Sequence, residues 1–169
     1  ERCNLFCAHC FVSAGDYGDT MLLDDIKHLL IPRLKECRVV NATLTGGEPF
    51  VHPQLMGIVH LLRVADIRVG ICTNATCITM EQMDKLAIIG EVHLNVSLDG
   101  FRPESHGKFR GDKDSFSKTI ETIRQLSVRK LLQGLLVTPN NLAEVIEYSE
   151  LCDFAIKNGA AYVLMNPLA

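Results

Sequence analysis

The sequence lacks an excess of basic residues, and this absence limits the classes of molecule that the chain is expected to bind. Seventeen lysines and arginines stand against twenty aspartates and glutamates, which gives a net charge of -3. A protein that binds nucleic acid or an anionic membrane surface usually carries a basic patch that neutralises phosphate groups. We therefore expect no nucleic acid and no membrane among the partners of this chain.

Long apolar runs and secretory features are also absent. No stretch approaches the roughly 18 consecutive apolar residues of a membrane-spanning helix, and no secretory signal is visible. The chain has seven cysteines, an odd number that cannot pair completely. Four of them are scattered: Cys37, Cys72, Cys77 and Cys152. This usage predicts free thiols in the cytoplasm.

Repeats, low-complexity tracts and linkers are missing as well, so one domain over residues 1–169 is the simplest expectation. With 47% hydrophobic residues, a chain of this length can bury a real core. No initiator methionine precedes Glu1. We expect the natural polypeptide to extend beyond both ends, with a strand before Glu1 and a helix after Ala169.

Five apolar stretches alternate with amphipathic ones. The strand candidates are residues 39–45, 67–73, 92–98, 131–138 and 161–165, all rich in residues that fill buried parallel strands. The segments between them show helical periodicity. This order predicts an α/β fold with a parallel sheet and right-handed crossovers, either as an open doubly wound sheet or as a barrel.

Local signals refine the helix boundaries. Thr79 with Gln82, and Asn141 with Glu144, are typical of capping boxes at helix starts. Pro32 lies inside the first helical stretch, where a proline removes a backbone hydrogen bond. We expect it to kink or end that helix near Ile31.

Polar segments follow each strand candidate. They are Gly46-Gly47-Glu48-Pro49, Thr73-Asn74, Asp99-Gly100, Pro139-Asn140-Asn141 and Asn166-Pro167. Ligands of parallel α/β sheets bind at the carboxyl ends of the strands, and turn formation alone explains about half of these segments. Alternation along residues 92–98 also places Asn95, Ser97 and Asp99 on the face opposite the apolar one. A polar inner face predicts a cavity.

Three cysteines form the most informative motif, because Cys3, Cys7 and Cys10 lie in the run Cys-Asn-Leu-Phe-Cys-Ala-His-Cys. Thiolates select zinc, copper(I) or iron–sulfur clusters. A closed zinc site needs four ligands, and ferredoxin motifs supply a fourth cysteine. Three thiolates on a cluster of four irons would leave one iron open to a small chelating molecule. A zinc site that uses His9 and a redox-active loop are the alternatives.

Taken together, these motifs resemble the radical S-adenosylmethionine (SAM) enzymes from Cys3 to about Pro167. The cysteine run is similar to the cluster loop of that family, and Gly46-Gly47-Glu48-Pro49 resembles its methionine-binding turn. Thr73-Asn74 and Ser97-Leu98-Asp99-Gly100 are similar to the strand ends that flank the nucleoside. The resemblance implies a radical SAM core domain built as a parallel partial (β/α)6 barrel, with its first strand and last helix outside residues 1–169.

The resemblance also implies the cofactors and their ligands. Cys3, Cys7 and Cys10 would bind a 4Fe–4S cluster, whose open iron is chelated by S-adenosylmethionine. Gly46, Gly47, Glu48 and Pro49 would receive the methionine part, with Glu48 on its ammonium group. Thr73, Asn74, Ser97 and Asp99 would bind the ribose or the carboxylate. No catalytic side chain is assigned.

The implied reaction begins with an electron from a donor such as flavodoxin or ferredoxin. SAM is then cleaved to methionine and a 5′-deoxyadenosyl radical, which removes a hydrogen from the substrate. A non-enzymatic iron–sulfur or zinc module built on the same three cysteines is the alternative function, although a carrier would not need a nucleoside cavity.

Three later segments are similar to the branch of the family with SPASM or Twitch auxiliary-cluster extensions. They are Arg110-Gly111, Val137-Thr138-Pro139-Asn140 and Asn166-Pro167-Leu168. Members of this branch modify peptides or haem precursors, which implies a peptide, haem precursor or other small molecule as substrate. Arg110 itself could contact a carboxylate, but we interpret it as an exposed loop residue.

Overall fold

The computed structural model describes residues 2–166. Glu1 and residues 167–169 lie outside the described part, and so do Pro167 and Leu168 of the last family-like segment. Within residues 2–166, no helix is both long and apolar enough to cross a membrane.

Five parallel strands form one sheet. They are β1 (Asn41–Leu44), β2 (Arg68–Thr73), β3 (Val92–Ser97), β4 (Leu132–Val137) and β5 (Tyr162–Met165). Their order in the sheet is their order in the chain. A doubly wound sheet reverses direction at a switch point, so this sequential order corresponds to a barrel. The structure confirms all five strands and the parallel α/β partial barrel.

The helices connect the strands. Between β1 and β5 they are α3 (Leu55–Val64), α4 (Met80–Ile89), α5 (Lys108–Arg110), α6 (Ser115–Val128) and α7 (Val145–Lys157). Shorter turns of 3-10 and π type occur at Pro49–Val51 and Pro103–Gly107. The loops after β1, β2 and β3 all reach the same edge of the sheet.

The first helix continues through Pro32 instead of ending there. It consists of α1 (Leu23–Asp25), a π turn at Ile26–Leu30 and α2 (Ile31–Glu36). The N–H of Ile31 bonds to the carbonyl of Ile26, five residues back. Pro32 thus lies in the first turn of α2, where a proline nitrogen needs no partner. The wider turn absorbs the break that the proline would otherwise cause.

One predicted capping box is present and the other is wrong. At α4, the Thr79 hydroxyl accepts from the Gln82 N–H at 3.2 Å, and the Gln82 side chain accepts from the Thr79 N–H at 2.9 Å. The cap of α7 is Glu144, paired with Glu147 rather than with Asn141. The loop runs on past Asn141, and the neighbouring Asn140 side chain bonds to the backbone of the loop residues Asp99 and Leu142.

The sheet separates an apolar face from a polar one, as the alternation in the sequence predicts. On β3, Val92, Leu94 and Val96 are buried in the main core beneath the helices. His93, Asn95 and Ser97 are half-buried on the opposite face. On that inner face the Tyr162 hydroxyl of β5 donates to the Asn95 side chain at 2.6 Å. The polar face therefore borders the barrel interior, where the candidate site lies.

Candidate cluster and cofactor site

A cavity of about 280 Å³ opens where the strands end. This volume is close to the lower limit of ligand pockets, which span roughly 300–1,000 Å³. The predicted residues that line it are Cys3, Cys7, Cys10, Gly46, Gly47, Glu48, Thr73, Asn74 and Ser97. The structure thus brings the three cysteines and the ends of β1, β2 and β3 together around one space. Pro49 and Asp99 are not among the lining residues, although their neighbours are.

The cysteine loop is fastened at its base. Arg2 and Gly15 form an isolated parallel bridge, and the Cys3 N–H donates to the Gly15 carbonyl. Within the loop, the Cys10 N–H donates to the Cys7 carbonyl, and the Ala14 N–H lies 3.3 Å from the Cys10 sulfur. These bonds hold the loop in a compact form whose thiols face the cavity.

Gly111 forms the wall behind this loop. It ends α5 in a left-handed conformation, with φ of +73°. A Cβ atom at this position would stand 2.6 Å from the Phe6 carbonyl oxygen, closer than real Cβ contacts allow. Both the backbone angle and the close approach require glycine here. The family-like Arg110-Gly111 pair therefore supports the cysteine loop directly.

The arrangement of the thiols fits a multi-iron cluster better than a single zinc ion. Among residues 2–166, no three cysteine, histidine, aspartate or glutamate side chains are close enough together to hold one metal ion. The zinc alternative also needs His9, which lines the same cavity but forms no such group with the cysteines within the described residues. Three free thiols spread around one cavity can each reach a different corner of a larger cluster.

Burial raises the pKa of the Cys3 and Cys7 thiols. At Cys7 the nearby guanidinium of Arg110 opposes this effect. Metals bind the thiolate and not the thiol, so loading this site must release protons.

Glu48 ties the turn after β1 to the end of β2. Its side chain is buried, with 3% of the residue exposed. The carboxylate accepts hydrogen bonds from the Thr73 hydroxyl at 2.7 Å, the Asn74 N–H at 2.7 Å and the Phe50 N–H at 3.1 Å. Burial raises the pKa of Glu48 in spite of these bonds. A carboxylate has about four acceptor positions, so roughly one is left for a ligand.

Asn74 connects β2 to the cysteine loop. Its side-chain nitrogen donates to the Asn4 side chain at 3.0 Å and lies 3.9 Å from the Cys3 sulfur. Its side-chain oxygen accepts from the Thr76 N–H at 2.9 Å. Thr73 is also engaged, because its oxygen accepts from the Ala75 N–H. The ends of β1 and β2 and the cysteine loop thus share one hydrogen-bond network.

Arg110 is buried, and its interpretation as an exposed loop residue is wrong. Only 12% of its side chain is exposed. Its Nε donates to Asp99 Oδ2 at 2.5 Å, and its Nη1 lies 3.9 Å from the Cys7 sulfur. The sequence does contain one indication of this pair. Asp99 lies at the end of a buried strand, and a buried carboxylate needs a basic partner or several hydrogen-bond donors. The structure places Asp99 behind Arg110 and not in the lining of the cavity.

His106 is the buried histidine behind this pair, and it predicts a pH effect on stability. Its Nδ1 accepts from the Asp99 N–H at 3.1 Å, and burial lowers its pKa to about 4. As the pH falls, His106 is protonated in the unfolded chain before it is protonated in the folded one. Its contribution to the free energy of unfolding is therefore complete above about pH 6.5 and is lost as the pH drops towards 4. The shift corresponds to roughly 3 kcal/mol.

Urea unfolding at neutral pH and near pH 4 measures this contribution. We expect His106→Gln to lose less stability on acidification than the unaltered protein, because glutamine does not titrate. The exposed His60 provides the control variant His60→Gln, which should keep the original pH dependence. Equal pH dependence of His106→Gln and the unaltered protein would contradict the expected contribution.

Comparison with known proteins decides the family. The family model for the radical SAM superfamily matches residues 1–152, which is most of the chain. The chain belongs to the radical SAM superfamily. The members use a 4Fe–4S cluster and S-adenosylmethionine, so the expected family and its cofactors are confirmed.

Two curated radical SAM relatives illustrate the similarity. The chain is 34% identical over 129 residues to the antilisterial bacteriocin subtilosin biosynthesis protein AlbA of Bacillus subtilis, covering 75% of this chain and 29% of AlbA. It is 33% identical over 158 residues to the AdoMet-dependent heme synthase of Methanosarcina barkeri, covering 88% of this chain and 44% of the synthase. The chain thus spans less than half the length of these relatives.

Solved structures show the same fold. SuiB of Streptococcus suis superposes with a TM-score of 0.85 at 19% identity, over 99% of this chain and 38% of SuiB. SuiB has also been solved with S-adenosylmethionine bound, with a TM-score of 0.82. This likeness confirms the radical SAM fold of the chain.

Proposed function

We propose that this chain is the core domain of a radical SAM enzyme that removes a hydrogen atom from a peptide, a haem precursor or another small cofactor precursor. The observation that carries the proposal is the shared cavity, in which the three cysteines meet Gly46, Gly47 and the ends of β2 and β3. A module that only stored or delivered metal would not need this second set of polar residues.

The residues divide into two groups in this proposal. Cys3, Cys7 and Cys10 hold the 4Fe–4S cluster. When bound, the cluster would supply the electron that splits S-adenosylmethionine into methionine and a 5′-deoxyadenosyl radical, which would take the substrate hydrogen.

The second group binds S-adenosylmethionine. The backbone of Gly46 and Gly47 allows close approach to the methionine part, and Pro49 fixes the turn by starting the 3-10 segment Pro49–Val51. Glu48 holds this turn against β2 and offers its remaining acceptor position to the ammonium group. Ser97, Thr73 and Asn74 form the wall on the side of β2 and β3.

The relatives guide the proposal for substrate and partners. AlbA is a bacteriocin biosynthesis protein, SuiB has been solved with its precursor peptide SuiA, and the third relative is a heme synthase. We place a peptide first and a haem precursor second, with flavodoxin or ferredoxin as electron donor. The net charge of -3 argues against nucleic acid and anionic membranes as partners. All seven cysteines are free thiols, which suits the reducing cytosol.

Release of 5′-deoxyadenosine tests the proposed chemistry. Protein reconstituted with iron and sulfide without oxygen, and then given S-adenosylmethionine and dithionite, should form 5′-deoxyadenosine and methionine in equal amounts. Chromatography with mass detection measures both products. The same mixture without dithionite is the control and should form neither. Protein that carries a full complement of iron and still forms no 5′-deoxyadenosine under reducing conditions would exclude this function.

A further inference from the structure

A positively charged side chain lies beside one of the proposed cluster ligands. Arg110 Nη1 lies 3.9 Å from the Cys7 sulfur, within the range of a hydrogen bond to sulfur. The guanidinium is largely buried, with 12% of the side chain exposed. Water and salt screen a buried charge less than an exposed one, so the charge of Arg110 acts strongly on the Cys7 sulfur.

Asp99 fixes the direction of this guanidinium. One carboxylate oxygen accepts from Arg110 Nε at 2.5 Å, and the other accepts from the Thr138 N–H at 2.7 Å. The backbone of Asp99 is held as well, because its N–H donates to His106 and its carbonyl accepts from the Asn140 side chain at 2.9 Å. With both oxygens engaged and no exposed surface, the carboxylate cannot turn without breaking a buried bond.

Only arginine can make both contacts from one side chain. Its planar fork offers Nε to Asp99 and Nη1 to Cys7 at the same time, whereas lysine presents one point of charge. The anchored end therefore determines where the free end lies. This is the arrangement expected of a side chain that must keep a fixed position beside a metal ligand.

We propose that Arg110, anchored by Asp99, is a positioning residue that raises the reduction potential of the cluster by donating a hydrogen bond to the Cys7 sulfur. This inference rests on the proposed binding of the cluster by the three cysteines. Reduction adds one negative charge to the cluster. A nearby positive charge and an N–H donor to a ligand sulfur stabilise the reduced form more than the oxidised form, which raises the potential.

The test is the midpoint potential of the cluster in the absence of S-adenosylmethionine. Protein reconstituted without oxygen is titrated with a reductant, and the reduced cluster is followed by electron paramagnetic resonance. We expect Arg110→Met to disfavour reduction at least tenfold, which lowers the potential by about 59 mV for one electron. Arg129→Met is the matched control, because Arg129 is similarly covered, with 16% of its side chain exposed, and is paired with Asp84. It should leave the potential unchanged.

A double variant separates the potential from folding. Arg110→Met alone leaves the buried Asp99 carboxylate without its partner, which destabilises the folded state. Asp99→Asn combined with Arg110→Met removes both charges, and asparagine keeps an oxygen for the Thr138 N–H. Its potential should also fall below that of the unaltered protein. The fall should be smaller than in Arg110→Met, because a negative charge has been removed as well.

Two results would overturn this inference while leaving the cluster assignment intact. One is an equal potential in the iron-loaded double variant and the unaltered protein. The other is a variant that binds S-adenosylmethionine more weakly while the cofactor-free potential stays the same, since Arg110 would then act on the cofactor. If the unaltered protein takes up no iron, the cluster assignment fails first, and the inference fails with it.

Discussion

Alanine at Cys3, Cys7 or Cys10 should abolish binding of the iron–sulfur cluster. Each of these thiols faces the same cavity, and with only three protein ligands the loss of one leaves two iron atoms of a 4Fe–4S cluster without a protein ligand. We expect bound iron to fall from about four atoms per chain to background in each single variant. Formation of 5′-deoxyadenosine should fall below detection with it.

Iron and sulfide analysis after reconstitution without oxygen measures this effect. Cys77→Ala is the matched control. Cys77 is half-buried like the three ligands, but it does not line the cavity. It should keep its iron. A preparation that instead holds one zinc ion tightly, or variants at positions 3, 7 and 10 that retain their iron, would contradict the cluster assignment.

Glu48→Ala should weaken both the fold and the binding of S-adenosylmethionine, while the cluster stays in place. The change leaves the N–H groups of Phe50 and Asn74 buried without an acceptor, and each such loss costs about 1–3 kcal/mol. The Thr73 hydroxyl also loses its acceptor. We expect a loss of roughly 2–5 kcal/mol in the free energy of unfolding. A hydrogen bond between the carboxylate and the ammonium group contributes about 1.5–3 kcal/mol. Since a tenfold change in affinity corresponds to about 1.4 kcal/mol, the cofactor should bind at least tenfold more weakly.

Urea unfolding and calorimetric titration with S-adenosylmethionine measure the two effects. Glu48→Gln helps to separate them, because it removes the charge but keeps the shape of the side chain and one of the two acceptor oxygens. If the charge contacts the ammonium group of the cofactor, this variant should lose more affinity than stability. Glu91→Ala, which removes an exposed carboxylate, is the control and should change neither quantity much. Unchanged affinity in iron-loaded Glu48→Ala would rule out any role of Glu48 at the cofactor.

The fold was predictable because the sequence patterns that mark each strand and helix lie within short segments of the chain. Each strand is a continuous apolar run or a clear alternation, and the burial pattern of β3 follows the sequence residue by residue. The position of the site was predictable for the same reason. Parallel strands end at one edge, so the segments that begin at Gly46, Thr73 and Ser97 had to meet there.

The side-chain partners in the site were not predictable in this way. The burial of Arg110 was not predicted, because its ion pair with Asp99 joins two separate segments of the chain. The buried position of Asp99 indicates that a partner is needed, but it does not show which residue that partner is. The three donors to Glu48 were missed for the same reason. The irregularity near Ile31 was predicted from Pro32, but the π turn was not, because a π turn depends on packing and leaves no short sequence signature.

The contact between Phe6 and Gly111 has a consequence for the order in which the protein is made. The proposed cluster ligands are synthesised first, but the wall against which their loop packs is more than a hundred residues further along the chain. Arg110, the neighbour of Cys7, arrives equally late. When the cysteine motif has just left the ribosome, its three thiols therefore lack the residues against which their loop packs, and the cavity has not yet formed. We therefore expect cluster insertion in the cell to follow synthesis of the Arg110-Gly111 segment.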